Sequence, residues 1–455
     1  MMDAVLERFI AHSPMAVAVR GAFEYALRPT ALDDLFVRTA GRRDDRQLLF
    51  STCVDLMATV VCRVKPSVHA AYQAEDHIPV NVTAVYARLA RVPVAAGRDL
   101  VRHTADRLGP VIRAMGGAEP DPLPGYRVKV LDGNHLGKTQ RRLKPLRDVV
   151  AGPLPGQTLV VLDPALGLAI GVVPCEDGHS QERSLLGSIL QIVAEKDVWV
   201  ADRNFCTTGF LFGVARRKGF FVIRRHAATL TWERESEWVP AGRTDTGTLE
   251  EQTIWLQDPD GDGTELEVRR VRLTLDNPTR DGDGVIEVMT NLPAEVAAAS
   301  VVAELYRGRW SIEGLFLRLT TVLRCEVNTL GYPPAALFGF CVALAAGNVY
   351  AAVKGALRAA HGSAVADGVS DYHLALEVSG ACPGLWIAIP AEAWVEIGGW
   401  SVGQMAEWLK GLARGANLGR YRKAARGPKK PKPPRTRFPD AKHISTARLL
   451  NGEQT

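Results

Sequence analysis

YRVKVLDGNHL, residues 126–136, begins a stretch of alternating strand and helix patterns. Its apolar run Val128–Leu131 reads as a core strand, and the run ends on a carboxylate, Asp132. GQTLVVLDPALGLAIGVVPCED (156–177) reads as a hairpin of two more strands turning at Asp163–Gly167. Gln181–Lys196 has the spacing of an amphipathic helix, DVWVADRNF (197–205) of a fourth strand, Thr208–Lys218 of a helix and FFVIRRH (220–226) of a fifth strand.

That order, β-β-β-α-β-α-β, is the order of a ribonuclease-H-like mixed sheet. Asp202 closes the apolar run Val198–Ala201 as Asp132 closes Val128–Leu131. Parallel strands joined by a helical crossover bring equivalent ends side by side, so the two acids are expected to be neighbours. A carboxylate ending a core strand is costly unless it is solvated or bound to a cation. A single such Asp is ordinarily a turn or cap residue, so the inference rests on the combination.

From Ala227 to Asp283 short alternating runs (TIWLQ, ELEVRRVRLTL) stand among Asp, Gly and Pro turns, which predicts a β-rich insertion. VIEVMTNLP returns to the core, and Pro293–Leu323 reads as one long helix carrying Glu313. Oxygen donors from Asp132, Asp202 and Glu313 suit two Mg²⁺ ions, with Mn²⁺ as a substitute. At 100° per residue, Tyr306, Arg309 and Glu313 fall at roughly 0°, 300° and 340° on that helix, one narrow stripe. The stripe suits a metal held by Glu313 and backbone phosphates held by Arg309 and Tyr306.

Tyr306, Arg309 and Glu313, with Trp310 and Ile312 between them, resemble the Tyr-Arg-Glu-Lys motif of the insertion-sequence transposases of the IS-four family. LDGNHL around Asp132, ADRNF around Asp202 and the terminal HISTARLL resemble that family too, so the resemblance spans most of residues 126–450. It implies a catalytic triad of Asp132, Asp202 and Glu313, two divalent ions, and cutting and joining of transposon ends in double-stranded DNA. It also implies a homodimer in the synaptic complex, on the bacterial nucleoid. One position departs: Thr320 stands where the family has Lys. Arg324, near 0° on the same stripe, either replaces that contact or the copy has reduced activity.

The remaining divisions are a helical region over 1–120, read as a DNA-binding domain or as a plain helical cap with solvated arginines, and a linker, Gly116–Gly125. The core spans 126–226 and 284–333 around the insertion 227–283. A helical region over 334–413 and a basic Pro-rich tail over 414–455 follow. Apolar residues recur at helical spacing in Phe36–Arg42, Gln47–Arg63 and Thr83–Ala95, among arginines 88, 91, 98, 102, 107 and 113. From Arg414 to Arg448 there are 12 Lys/Arg against one acid, about +11, which leaves about −6 on the rest of a chain whose formal charge is +5. Such a tail favours a polyanionic partner. The run Lys138–Arg147, with Lys138, Arg141 and Arg142, reads as a DNA path or an exposed loop. Trp232, Trp238 and Trp255 read as packing for the insertion, or one of them as a trap for a flipped base.

DPDGDG (258–263) imitates a calcium loop, but Arg269 stands where such a loop needs Glu. Seven scattered cysteines without a C-x-x-C pair predict buried thiols and argue against a zinc or disulfide framework. The apolar stretch Ala335–Val353 reads as a buried helix, and the acidic N-terminus argues for a cytoplasmic protein with no membrane partner. Two alternatives remain: a nuclease of the same fold that does not join ends, and a degenerate DNA-binding protein.

Overall fold

The computed structural model describes residues 4–41, 47–137, 143–147, 149, 151–226, 230–258, 263–279, 282–424 and 443–453. The strands are β1 (Arg127–Leu136), β2 (Gly152–Leu154), β3 (Gly156–Asp163), β4 (Leu168–Cys175), β5 (Asp197–Ala201) and β6 (Phe220–Arg224). They continue with β7 (Arg234–Glu235), β8 (Val239–Thr244), β9 (Gly247–Gln257), β10 (Glu265–Leu275), β11 (Val285–Thr290) and β12 (His443–Ser445).

The central sheet runs β4-β3-β1-β5-β6-β11-β10-β9-β7, with β8 also on β9. β1 is antiparallel to β3 and parallel to β5, and β5 is parallel to β6. This is the mixed, ribonuclease-H-like order expected, with the hairpin turning where Gly167 adopts φ +68°. The β-rich insertion does not form a separate sheet. β11 pairs with both β6 and β10, so the insertion strands extend the core sheet.

Period-two alternation sends each strand's side chains to two cores. Val130, Val160, Val198, Val200 and Val222 face a large helical layer. Leu131, Val161, Trp199, Phe221 and Ile223 face the opposite core, which the helix Thr208–Ala215 covers. The large layer is built from both ends of the chain. Its centre is the helix Pro333–His361, apolar on every face and buried along its length. It is long and apolar enough to cross a membrane, yet 94% of its most apolar window lies inside the protein. It packs on the helix Val94–Ala114 and on the helix Val402–Arg414. None of the seven cysteines is in a disulfide, and all but Cys175 are buried.

Several expected elements differ. The helix expected over Thr83–Ala95 ends at Leu89, and a new one starts after Pro93, whose ring cannot continue a helix. Gln181–Lys196 yields only a 3₁₀ turn, Glu182–Leu185, and a short helix, Leu186–Leu190. The expected helix Pro293–Leu323 is two, Ala299–Arg307 and Trp310–Thr321, with a break at Gly308–Arg309. Asn134 and His135 are strand residues paired with Thr158 and Gln157. The basic tail is not continuous: its last segment returns to the core, where β12 pairs in parallel with β2 and Arg448 meets Asp177 at 2.8 Å. The calcium-like DPDGDG lies largely outside the described residues, and Arg269 is a buried strand residue ion-paired to Glu251.

β4 is an edge strand, and the core helix covers that edge with a polar residue. Buried Asn348 accepts from the Ala169 amide at 2.8 Å, and its Nδ2 donates to the Ala169 carbonyl (2.9 Å) and to Thr104 Oγ1 (3.0 Å). Asn348→Ala would leave those buried groups unsatisfied. We expect a loss of about 2–4 kcal/mol of stability by urea unfolding, against little change for Ser379→Ala, whose hydroxyl makes a solvent-exposed hydrogen bond.

Candidate active site

The register of β1 and β5 sets the site. Leu131 pairs with Ala201, the last pair between β1 and β5, so the next residues lie side by side: Asp202 follows the end of β5, while Asp132 is not the strand end expected but stands within β1, still paired with Val160. Asp132 accepts from the Gly133 amide at 2.9 Å. Asp202 caps the 3₁₀ turn Arg203–Phe205, accepting from the Arg203 amide at 2.6 Å.

The third carboxylate arrives through the break at Gly308–Arg309. The Arg309 guanidinium donates to Asp132 Oδ2 at 3.1 Å and to Glu313 Oε1 at 3.4 Å. Arg309 is buried between two rings, with Trp310 at 5.0 Å and Tyr306 at 6.0 Å from its centre. Tyr306 ends the preceding helix and is buried, whereas Trp310 is 59% exposed. Burial holds the Tyr306 hydroxyl above its usual range, partly offset by Arg309 and reinforced by Asp202.

These carboxylates repel one another in a partly dry site. Burial raises Asp132 to about 6; Arg309 and the Gly133 amide oppose that shift, while Asp202 and Glu182 add to it. The donors are all carboxylate oxygens, the set that a hard divalent cation prefers. Among the described residues, however, no group of three His, Cys, Asp or Glu stands arranged to hold a metal ion. Arg309 carries the positive charge between Asp132 and Glu313 instead. The donor chemistry thus fits a divalent cation, and Arg309 is the group such an ion would have to share these acids with.

Of the other expected site residues, Arg324 is not brought here. The helix carrying Glu313 ends at Thr321, and the Arg324 guanidinium donates to the Pro66 carbonyl, so the stripe expected to continue to it does not form. Thr320 turns its hydroxyl back to the Phe316 carbonyl at 3.0 Å. Lys138, Arg141 and Arg142 lie outside the described residues. Among the N-terminal arginines, Arg88 is buried over Phe36 at 5.0 Å, and Arg107 stacks on Tyr25 at 4.0 Å, so these two pack the fold. Each insertion tryptophan is covered by arginine: Trp232 by Arg225 and Arg270, Trp238 by Arg270 and Arg272, and Trp255 by Arg234.

Sequence reading missed Glu182 and Asn204, which stand beside the acids, and Arg224, whose charge reaches Asp202. No motif marks Glu182, because the helix expected there breaks into a 3₁₀ turn. Asn204 lies in the ADRNF motif, but nothing in its spacing distinguishes it from an ordinary turn residue.

The raised Asp132 has a pH consequence. Its folded value, about 6, exceeds the ordinary 3.8, so the folded state binds the proton more tightly. Without divalent ions, stability therefore falls as pH rises from about 4 to 6, and the full penalty remains above that window. Asp132→Asn should remove this slope and raise metal-free stability at pH 7 by about 1–3 kcal/mol. Thermal unfolding of both proteins in chelator across pH 4–8 measures it, and parallel profiles would contradict the assignment.

Residues 157–337 match the family model described as "Transposase DDE domain", a span that contains Asp202, Tyr306, Arg309 and Glu313 and begins after Asp132. No curated protein matches the chain. Among solved structures, the chain is similar to the cryo-EM structure of the piggyBac transposase synaptic complex with hairpin DNA. Identity is 11% and the TM-score is 0.38, over 88% of this chain and 78% of that one. DDE transposase domains generally use divalent metal ions. Residues 157–337 are thus similar to the DDE domain of transposases, an enzyme domain.

Proposed function

We propose that the protein cleaves transposon ends and joins the freed 3′-hydroxyl to target DNA, with Asp132, Asp202 and Glu313 as the metal-binding triad. The observation that carries this reading is the Leu131–Ala201 pairing, which sets two carboxylates side by side, together with the Arg309 bridge to Glu313. Two Mg²⁺ ions, or Mn²⁺ in their place, would supply an activated attacking oxygen and charge stabilisation at the leaving oxygen.

The chain's own residues do the positioning. Asp132, fixed within β1 and by the Gly133 amide, and Asp202, fixed at the end of β5 and by the Arg203 amide, present oxygens to one locus. Glu313 approaches from a separate helix, so the centre closes only when that helix is seated on β1. Arg309 is poised to exchange a carboxylate for a phosphodiester oxygen, since both accept two parallel guanidinium hydrogen bonds. The exposed Trp310 ring beside it offers a stacking surface for a base or sugar. Lys138, Arg141 and Arg142 and the run PKKPKPP (428–434) of the basic tail 414–455 are proposed to track the DNA backbone without reading sequence.

Membership of the IS-four family, a homodimer on paired ends, a DNA-binding role for residues 1–120 and a cytoplasmic, nucleoid-associated location belong to the same reading. The segment divisions given above belong to it too.

Asp132→Ala, Asp202→Ala and Glu313→Ala should each lower cleavage of a transposon-end duplex in Mg²⁺ by at least ~10³-fold. Binding of the same duplex should change by less than ~3-fold, since phosphate contacts dominate affinity. Cleavage by the Asp132→Ala protein at the wild-type rate would reject the triad. A pre-cleaved end with a free 3′-hydroxyl tests joining: product joined to target supports a transposase, and its absence with intact cleavage indicates a nuclease of the same fold.

A further inference from the structure

We propose that Arg224 and Arg203 form a subsite for a backbone phosphate of the DNA, and that Asp283 occupies this subsite while DNA is absent. The inference rests on the reading of the protein as a DNA-cutting enzyme, and adds what the incoming strand must displace. Sheet register places Arg224. Ala201 pairs with Ile223, the last pair between β5 and β6, so Asp202 and Arg224 are neighbours on adjacent strands, with backbones about 5 Å apart. Ala201 and Ile223 face the core under the helix Thr208–Ala215, so by alternation the next residues, Asp202 and Arg224, turn to the other face. The charge of Arg224 accordingly acts on both Asp202 and Tyr306. Its guanidinium donates to Asp283 Oδ2 at 2.9 Å. Asp283 comes from the turn between β10 and β11. The Thr279 amide donates to the Asp283 carbonyl at 2.9 Å, and the Thr279 hydroxyl accepts from the Asp283 amide at 3.1 Å. Thr279 also lines a cavity of about 160 Å³ with Tyr306 and Trp310, so this turn stands against the helices that carry the motif.

The Asp283 carboxylate is the chain's own stand-in for the anion. Arg224 holds it below its usual range by hydrogen bond and charge, and Arg203, which follows Asp202 in the 3₁₀ turn, adds to that shift. A carboxylate and a phosphodiester present the same pair of oxygens to a guanidinium. Asp283 is 37% exposed and Arg224 only 20%, so the acid is free to swing away while the cation stays in place. A solvent-exposed ion pair of this kind is weak, whereas a DNA phosphate bound to arginine also releases a counterion. Exchange therefore favours the DNA. The competing account is a purely structural pair that fastens the turn to β6.

The test is a double-mutant cycle on the full-length chain, read by fluorescence anisotropy of a transposon-end duplex in chelator and low salt, where no cleavage occurs. Asp283→Asn should raise affinity ~3–10-fold, and Arg224→Gln should lower it. In the Arg224→Gln background Asp283→Asn should bring little of that gain. Asp276→Asn, which frees Arg243 from an exposed pair elsewhere in the insertion, is the control for net charge and should do less. An equal gain in both backgrounds, or from Asp276→Asn, would reflect net charge alone and overturns the subsite. No gain, with a lowered unfolding temperature for Asp283→Asn, identifies the structural pair and overturns it too. Inorganic phosphate is titrated into the same proteins: Asp283→Asn binding it more tightly with duplex affinity unchanged would mean a site for small anions rather than DNA. Any of these results with duplex binding and Mg²⁺-dependent cleavage intact rejects the subsite alone. If no protein in the series binds the duplex, the DNA-cutting reading falls with it.

Discussion

The parallel pairing of β1 with β5 is the constraint on which the site depends. Its register is pinned at the far end by a buried acid. Asp197, fully buried, is held by Lys129 at 2.7 Å and Arg127 at 3.0 Å, and takes the Ala194 amide at 2.8 Å. A buried carboxylate left unpaired would cost several kcal/mol, so a one-residue slip between these strands is strongly disfavoured. The same register, read five residues on, delivers Asp132 and Asp202 to one place. A slip would also exchange the two cores, because Val130 and Val200 face one layer while Leu131 and Trp199 face the other.

Around that pair the chain places charge in opposition. Arg309 is buried at the break between two helices, where Gly308 weakens the helix and the next turn starts in a new direction. A continuous helix would have set Tyr306, Arg309 and Glu313 on one solvent-facing stripe. The break instead buries Tyr306 and Arg309 against the strand ends and leaves Glu313 half exposed. Arg309 thereby acts as a counter-ion of Asp132 and Glu313.

The insertion is coupled to the core by the same kind of interaction. Glu287 on β11 receives Arg225, Arg270 and Arg272, and Arg269 is shared between Glu251 and the carbonyls of Leu292 and Ala297. Such networks are directional, so they orient the insertion on the segment leading to the Glu313 helix. The tryptophans expected to pack this region do so beneath arginine, a use of aromatic faces that their spacing did not reveal.

Local pattern determined the succession of strands along the chain, the hairpin at Asp163–Gly167 and the two acids that end the apolar runs of β1 and β5, because each is a matter of short-range periodicity or spacing, while the Tyr306–Arg309–Glu313 motif was legible through its family resemblance. The continuity of the helix bearing that motif was misread, since Gly308 is a modest helix penalty that tertiary packing turned into a break. Arg324 was assigned to the site on an extrapolated helical angle, which has no meaning past Thr321. Glu182 could not be found from sequence, because its place depends on the absence of a side chain at Gly133, some fifty residues earlier. What only the tertiary structure decided is which charges meet, since ion pairs across hundreds of residues follow from how the sheet and helices are stacked and leave no periodic trace along the chain.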